Sequence, residues 1–164
     1  PTLIRAVWQL IDRYKEDIHL ILAGGKGWLY EDAFALVETL KLDDKVHFVG
    51  RVSSEELLYL YNAAELLAHP AFYEGFGLPP LEAMACGLPV IVSNVASLPE
   101  VVGSAGLLID PHEVDELTVS MWRVLNDEQL RQEMREKGFL QAARFSWERA
   151  ARETLDIYRL VHQS

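Results

Sequence analysis

The sequence predicts an α/β domain in which a parallel sheet is covered by helices on both faces. Three observations carry that expectation. Segments with apolar residues at helical spacing alternate with short extended segments along the chain, the pattern of strand-helix units. The extended segments are continuous apolar runs, as strands buried on both faces require. At 164 residues the chain has the size of one domain with one core.

The elements follow in order. Residues 3–15 (LIRAVWQLIDRYK) place apolar groups on a helical stripe, and 18–23 (IHLILA) form a buried strand ended by Gly24-Gly25. Residues 29–41 read as a second helix and 45–49 (KVHFV) as a strand stopped by Gly50. Ser53 and Glu56 form a capping-box pair that opens a third helix. A strand over 66–69 ends at Pro70, and a loop runs from Ala71 to Pro79. The next helix is expected to begin at Pro80. Pro79, preceding a proline, is pushed out of the α region, whereas Pro80 has the fixed φ of a first helical residue. That helix ends at Cys86, with Gly87 as the left-handed residue just past it. Strand 89–93 (PVIVS), a helical turn near 99–102, strand 107–109 (LLI) and three closing helices complete the map, with Asp127 and Ser146 capping the last two.

The first element is a helix whose apolar stripe needs a sheet face, yet no strand precedes it to make the right-handed crossover. A single domain over residues 1–164, lacking its first strand and cut from a longer protein, is therefore expected. A start at Pro1-Thr2 without Met fits, as would a processed terminus.

Composition narrows the function classes. Half of the residues are hydrophobic and 24% are charged, which excludes a disordered chain. Lys plus Arg number 15 against 25 Asp plus Glu, a net charge of −10, so a nucleic-acid partner or an anionic membrane surface is not expected. The lone Cys86 cannot build a disulfide framework, and the sequence carries neither a leader pattern nor a membrane-length apolar run. The expectation is a cytoplasmic protein, with any peripheral membrane attachment lying in the missing part.

The stretch 69–89, HPAFYEGFGLPPLEAMACGLP, combines two carboxylates, three glycines and a proline-started helix in one strand-to-helix connection. Loops leaving the carboxyl ends of parallel strands are where open α/β sheets bind ligands. With the helix starting at Pro80, Glu82 is the third helical residue, where a glutamate ordinarily reaches back to the cap N–H; Pro79 has none. Glu82 is left with a helix-dipole position or a ligand role. Gly75 and Gly77 flank Phe76, and the N–H groups of Gly75, Phe76, Gly77 and Leu78 join those of Leu81, Glu82 and Ala83 as expected free donors. That is an anion site without a cation, suited to phosphate. A tight glycine turn that binds nothing is the alternative. Glu74, with no evident structural partner, favours a ligand with hydroxyls, such as a sugar.

FYEGFGLPPLEAMACGLPVIVSN resembles the donor-binding segment of the large retaining, nucleotide-sugar-dependent glycosyltransferase family of GT-B architecture, whose two glutamates are separated by seven residues, as Glu74 and Glu82 are. The LILAG strand, VHFVGRVSSEELLYLYNAAELLAHPA and SLPEVVGSAGLLIDPHEVDELTVSMWRVLND extend the resemblance over nearly the whole chain. It implies the Rossmann-like C-terminal half of the two-domain fold. It also implies that Glu74 with Gly75, Phe76, Gly77 and the Leu78 N–H lies at the donor sugar and diphosphate, that Glu82 accepts the ribose hydroxyls, and that Gly50, Arg51 and Val52 receive the base. Glu74 is the implied catalytic residue. Arg51 reads equally well as a solvated surface residue.

The family's Arg/Lys loop that neutralises the diphosphate would lie before Pro1, and Lys26, in a Gly24–Gly27 turn, is not a clear replacement. The acceptor domain is also missing, so the isolated chain is expected to be inactive. A glycan, a lipid-linked glycan or a small molecule could be the acceptor. No cofactor and no metal are expected beyond the donor: His19, His47, His69, His112 and His162 show no ligand spacing with one another or with Cys86. His69 reads as a satisfied buried imidazole and Cys86 as an inert thiol. The rival readings are a non-catalytic nucleotide-binding module and a flavodoxin-like regulatory domain. The second needs acidic residues at strand exits, where this sequence has Gly24, Gly50, His69-Pro70 and Asn94.

Overall fold

A four-residue strand of uninterrupted burial, Val90–Ser93, lies at the centre of the domain. Its alternate side chains face opposite sides: Val90 and Val92 pack with Tyr61, Ala83, Met84, Leu98, Val101 and Val102, while Ile91 packs with Ala6, Val7, Leu10, Ile109 and Leu117. This computed structural model describes residues 1–25 and 30–162, so the expectations placed on Lys26 and on a helix start at Leu29 lie outside the described residues.

The elements in chain order are α1 (Thr2–Tyr14), β1 (Leu20–Ala23), α2 (Tyr30–Thr39), β2 (Val46–Gly50), α3 (Ser54–Ala63), β3 (Leu67–His69), α4 (Leu78–Ala85), β4 (Val90–Ser93), α5 (Leu98–Val102), β5 (Leu107–Ile109), α6 (Val114–Asn126), α7 (Glu128–Ala142) and α8 (Trp147–His162). Local signals behave as their chemistry demands. Ser53 and Glu56 close the capping box in both directions, Asp127 accepts from the Leu130 N–H, and Ser146 Oγ accepts from the Arg149 N–H. Gly87 takes φ +75 just past α4.

All described pairings are parallel, as expected, but the single sheet is divided. β1 pairs with β2 (Leu20↔Val46), and β3-β4-β5 form a separate group (Leu67↔Val90, Ile91↔Leu107). No described strand joins β1 to β3, so each pairs on one side only. α1 spans the division from one face. Its Ile4 packs with Val37, Leu42 and Val46 over the first pair, and its Ala6, Val7 and Leu10 pack with Ile91 and Ile109 over the second group.

A second correction concerns α4, which begins at Leu78 and not at Pro80. Gly77, at φ +104, is the cap, and the Leu81 N–H donates to its carbonyl at 3.2 Å to open the helix. The preference of a pre-proline residue for extended backbone yields here because both prolines sit in the first turn, where their missing N–H groups cost no helical bond. Parallel strands run the same way, so β1 and β2 deliver their following loops to one end of their pair, and β3, β4 and β5 deliver theirs to one end of the second group. The turn between β3 and α4 is one of these loops.

Candidate functional site

Residues 74–78 form the entry into α4. Glu74 is part-buried, and its carboxylate is held on both sides: Oε2 lies 3.1 Å from His69 Nε2, and Oε1 accepts the N–H of its own neighbour Gly75 at 3.1 Å. The expectation that Glu74 lacks a structural partner is therefore corrected. His69 ends β3, and the turn after Pro70 brings Glu74 back over it, a five-residue return that spacing does not announce. His69 is satisfied as expected but keeps a quarter of its side chain exposed.

The donor inventory also changes. Gly75 N–H is occupied by the Glu74 carboxylate, and Leu81 N–H by Gly77. With α4 starting two residues early, Glu82 and Ala83 lie inside the helix and their N–H groups are no longer first-turn orphans. Phe76, Gly77 and Leu78 remain, three consecutive residues whose N–H groups donate to nothing among the described residues. Pro79 and Pro80, which carry no N–H, follow them directly. The free donors are thus concentrated into one short stretch at the positive end of α4.

Glu82 is the fifth residue of α4, not the third, so the capping argument made for it does not apply. It is exposed, its Oε2 accepts from the Tyr61 hydroxyl at 3.1 Å, and its Oε1 accepts from nothing among the described residues. Tyr61 is 8% exposed. Burial first, and then the Glu82 charge, push its phenol well above its ordinary range, so it donates to Glu82 at any working pH. The same two causes raise the Cys86 thiol, which agrees with the inert role expected for it.

The remaining expected residues sit at the end of β2. Gly50 closes the strand at φ +71, Arg51 is exposed, and Val52 is half-buried. The Arg51 side chain lies over Gly25, where an added Cβ would come within 3.1 Å of its Nε. Gly50, Arg51 and Val52 lie at the carboxyl end of β2 as Glu74 follows that of β3, and no hydrogen bond or ion pair joins them to Glu74 or Glu82 among the described residues. Beside the turn, Phe72, Asn94, Val95, Leu108, Asp110 and His112 line a cleft of about 590 Å³ at the ends of β4 and β5.

Four pairings were not visible in the sequence. His69 on Glu74 and Tyr61 on Glu82 join residues that only tertiary packing brings together, the second across 21 positions. Ser97, which precedes Leu98-Pro99 and so reads as an ordinary cap of α5, directs its hydroxyl to the Phe76 and Glu74 carbonyls at 2.8 and 3.2 Å. Elsewhere, His19 Nδ1 and His47 Nε2 approach to 2.9 Å, a pairing that their distance in sequence conceals. Among the described residues no group of three or more His, Cys, Asp or Glu gathers as a metal site would require, and no helix is long and apolar enough to cross a membrane.

Known proteins share this architecture. The pattern of the family "Glycosyl transferases group 1" matches residues 1–141. O-antigen chain mannosyltransferase B of Escherichia coli is 46% identical over 142 residues, 87% of this chain and 37% of that protein. The solved structure of sucrose-phosphate synthase from Thermosynechococcus elongatus superposes with a TM-score of 0.87 at 33% identity, covering 99% of this chain and 42% of that one. Anabaena HepE, solved in complex with UDP-glucose, gives 0.76 at 26% identity over 87% of this chain and 40% of its own. This chain therefore spans about two fifths of each of these three proteins, and its fold is the Rossmann-like domain expected of a GT-B C-terminal half. A family pattern that runs unbroken through the turn, α4 and most of α7 leaves one conclusion: the chain belongs to the glycosyl transferases group 1 family.

Proposed function

We propose that this domain binds a nucleotide-diphosphate sugar and that the longer protein containing it transfers the glycosyl group to an acceptor with retention at the anomeric carbon. The observation that carries the reading is the run of three unpaired N–H groups at Phe76, Gly77 and Leu78, set between two carboxylates that each keep acceptor capacity. A diphosphate suits such donors even on a chain of net charge −10, because main-chain dipoles and the end of α4 act over one turn only. Glu74 would receive hydroxyls of the donor sugar and Glu82, through Oε1, those of the ribose. Gly75 shapes the turn without giving its N–H to the ligand. Gly50, Arg51 and Val52 are assigned to the base.

In this reading the domain's contribution to the reaction is electrostatic. Main-chain donors fixed before the reaction stabilise the charge that develops on the departing diphosphate, and Glu74 orients the sugar. The acceptor, a glycan or a lipid-linked glycan, would be held by an N-terminal domain of the longer protein, which acts in the cytoplasm, peripheral to the membrane if its acceptor is lipid-linked. The domain uses no cofactor beyond its donor. Similarity to a protein solved with UDP-glucose and to a mannosyltransferase supports this reading.

Glu82→Gln and Glu74→Ala in the full-length enzyme test it. A hydrogen bond to a charged group contributes about 1.5–3 kcal/mol, so Glu82→Gln should weaken binding of bare UDP or GDP by roughly tenfold or more in titration calorimetry. Glu74→Ala should lower turnover with the sugar donor and leave bare-nucleotide affinity within about twofold. Unchanged nucleotide affinity in Glu82→Gln removes the ribose assignment, and the opposite pattern exchanges the two roles.

A further inference from the structure

We infer that Ser97 is a positioning residue for the donor site, holding the Glu74–Gly77 turn with its main-chain donors already turned outward. The inference rests on the donor-site reading above and adds to it the residue that sets the turn. Ser97 occupies the cap position of α5, where a serine ordinarily accepts an N–H of its own helix; it makes no such bond. Its hydroxyl points across the fold instead, 2.8 Å from the Phe76 carbonyl and 3.2 Å from that of Glu74.

The geometry of the peptide unit turns those two contacts into a functional statement. In a trans peptide the carbonyl and the N–H of the same unit point in opposite directions, and no cis bond occurs among the described residues. The Phe76 carbonyl shares its plane with the Gly77 N–H, and the Glu74 carbonyl with the Gly75 N–H. Drawing both carbonyls toward Ser97 therefore sends the Gly77 N–H away from α5 and sends the Gly75 N–H to the Glu74 carboxylate that it meets at 3.1 Å.

The support beneath the turn is equally specific. Leu98, fully buried, sits against Gly77 so closely that an added Cβ would lie 2.9 Å from its Cδ2. Ala96, immediately before Ser97, holds φ +50, a conformation an alanine adopts only under constraint. Ser97 and Leu98 thus form a two-residue platform, one part polar and one apolar, under the segment that offers its N–H groups.

The test uses the full-length enzyme and a pair of ligands: UDP or GDP, whichever the wild type binds, against the corresponding monophosphate UMP or GMP. Ser97→Ala is expected to lose about tenfold or more in diphosphate affinity while monophosphate affinity stays within about twofold, since Glu82 and the β2 end are untouched. Ser97→Thr, which restores the hydroxyl, is expected to return within about threefold of the wild type. An alanine variant that binds the diphosphate as well as the wild type overturns the inference. So does an equal loss of both ligands, which marks a merely structural residue. If Ser97→Ala does not fold, Ser97→Cys, a weak donor of similar size, takes its place: a selective loss of diphosphate affinity supports the inference, and no loss or an equal loss of both ligands overturns it. Failure of the donor-site reading looks different: there the wild type itself binds diphosphate no better than monophosphate.

Discussion

Glu74 commits one carboxylate oxygen to its own turn and the other to His69, so its position is set from outside the turn as well as within it. Removing the imidazole in His69→Ala leaves Oε2 without that partner and frees the side chain to rotate. The expected result in the full-length enzyme is a several-fold lower kcat with the sugar donor and unchanged affinity for the bare nucleotide. A fall in nucleotide affinity instead would place His69 at the nucleotide. Gly77 makes a harder demand. Its φ of +104 and the 2.9 Å approach of Leu98 to an added Cβ both oppose a side chain. Gly77→Ala is expected to cost about 1–2 kcal/mol from backbone strain alone, a drop of roughly 2–8 °C in Tm for a domain of this size. Calorimetry that shows an unchanged Tm would mean the turn relaxes to accept the methyl group.

At the scale of elements, what was legible in the sequence is what local chemistry decides. The Ser53–Glu56 box, the Asp127 and Ser146 caps and the left-handed Gly87 each depend on residues within a few positions, and each was readable for that reason. The start of α4 was not. A rule about one residue before a proline met two prolines in a first turn that needs no donors, and the second consideration prevailed. That two-residue shift moved Glu82 down the helix and removed three N–H groups from the expected donor set. Its contact with Tyr61 follows only from α3 packing beside α4. The same contact makes a pH prediction. Burial and the Glu82 charge raise the Tyr61 phenol above its ordinary value of 10.0. A raised folded-state pKa contributes stability in full below pH 10 and loses it as the pH climbs toward the folded value. The wild type should therefore lose thermal stability above about pH 10 more steeply than Tyr61→Phe. Parallel slopes in alkaline melting curves would show that another group controls that limb.

For the whole molecule the division of the sheet matters most. Leu20 and Gly24 donate to Lys45 and Gly50 of the β2 side at 2.8 and 2.7 Å, and Leu67 donates to Pro89 of the β4 side at 2.9 Å. Backbone groups alternate in direction along a parallel ladder, so Ile21 and Ala23 of β1 and Ala68 of β3 aim theirs at the unpaired edges. Open edges of buried-type strands are ordinarily paired or covered. α1 already lies across both groups, with Ile4 over the first and Leu10 over the second, so one face of the division is roofed by a helix suited to a continuous sheet. A parallel strand from the longer protein, placed between β1 and β3 and entering α1 by a right-handed crossover, would pair both edges at once. Hydrogen exchange reads this directly. The amides of Ile21, Ala23 and Ala68 should exchange at least about tenfold more slowly in the longer protein than in the 164-residue chain, whereas Leu20 and Leu67, already bonded, should change much less. Equal rates at Ile21, Ala23 and Ala68 in the two proteins would mean that no strand enters between β1 and β3. The turn between β3 and α4 is held by His69 of β3, by Ser97 and Leu98 at the start of α5 and by Phe145 against Phe76, so the expected strand would act on it through the stability of the sheet and not through its shape.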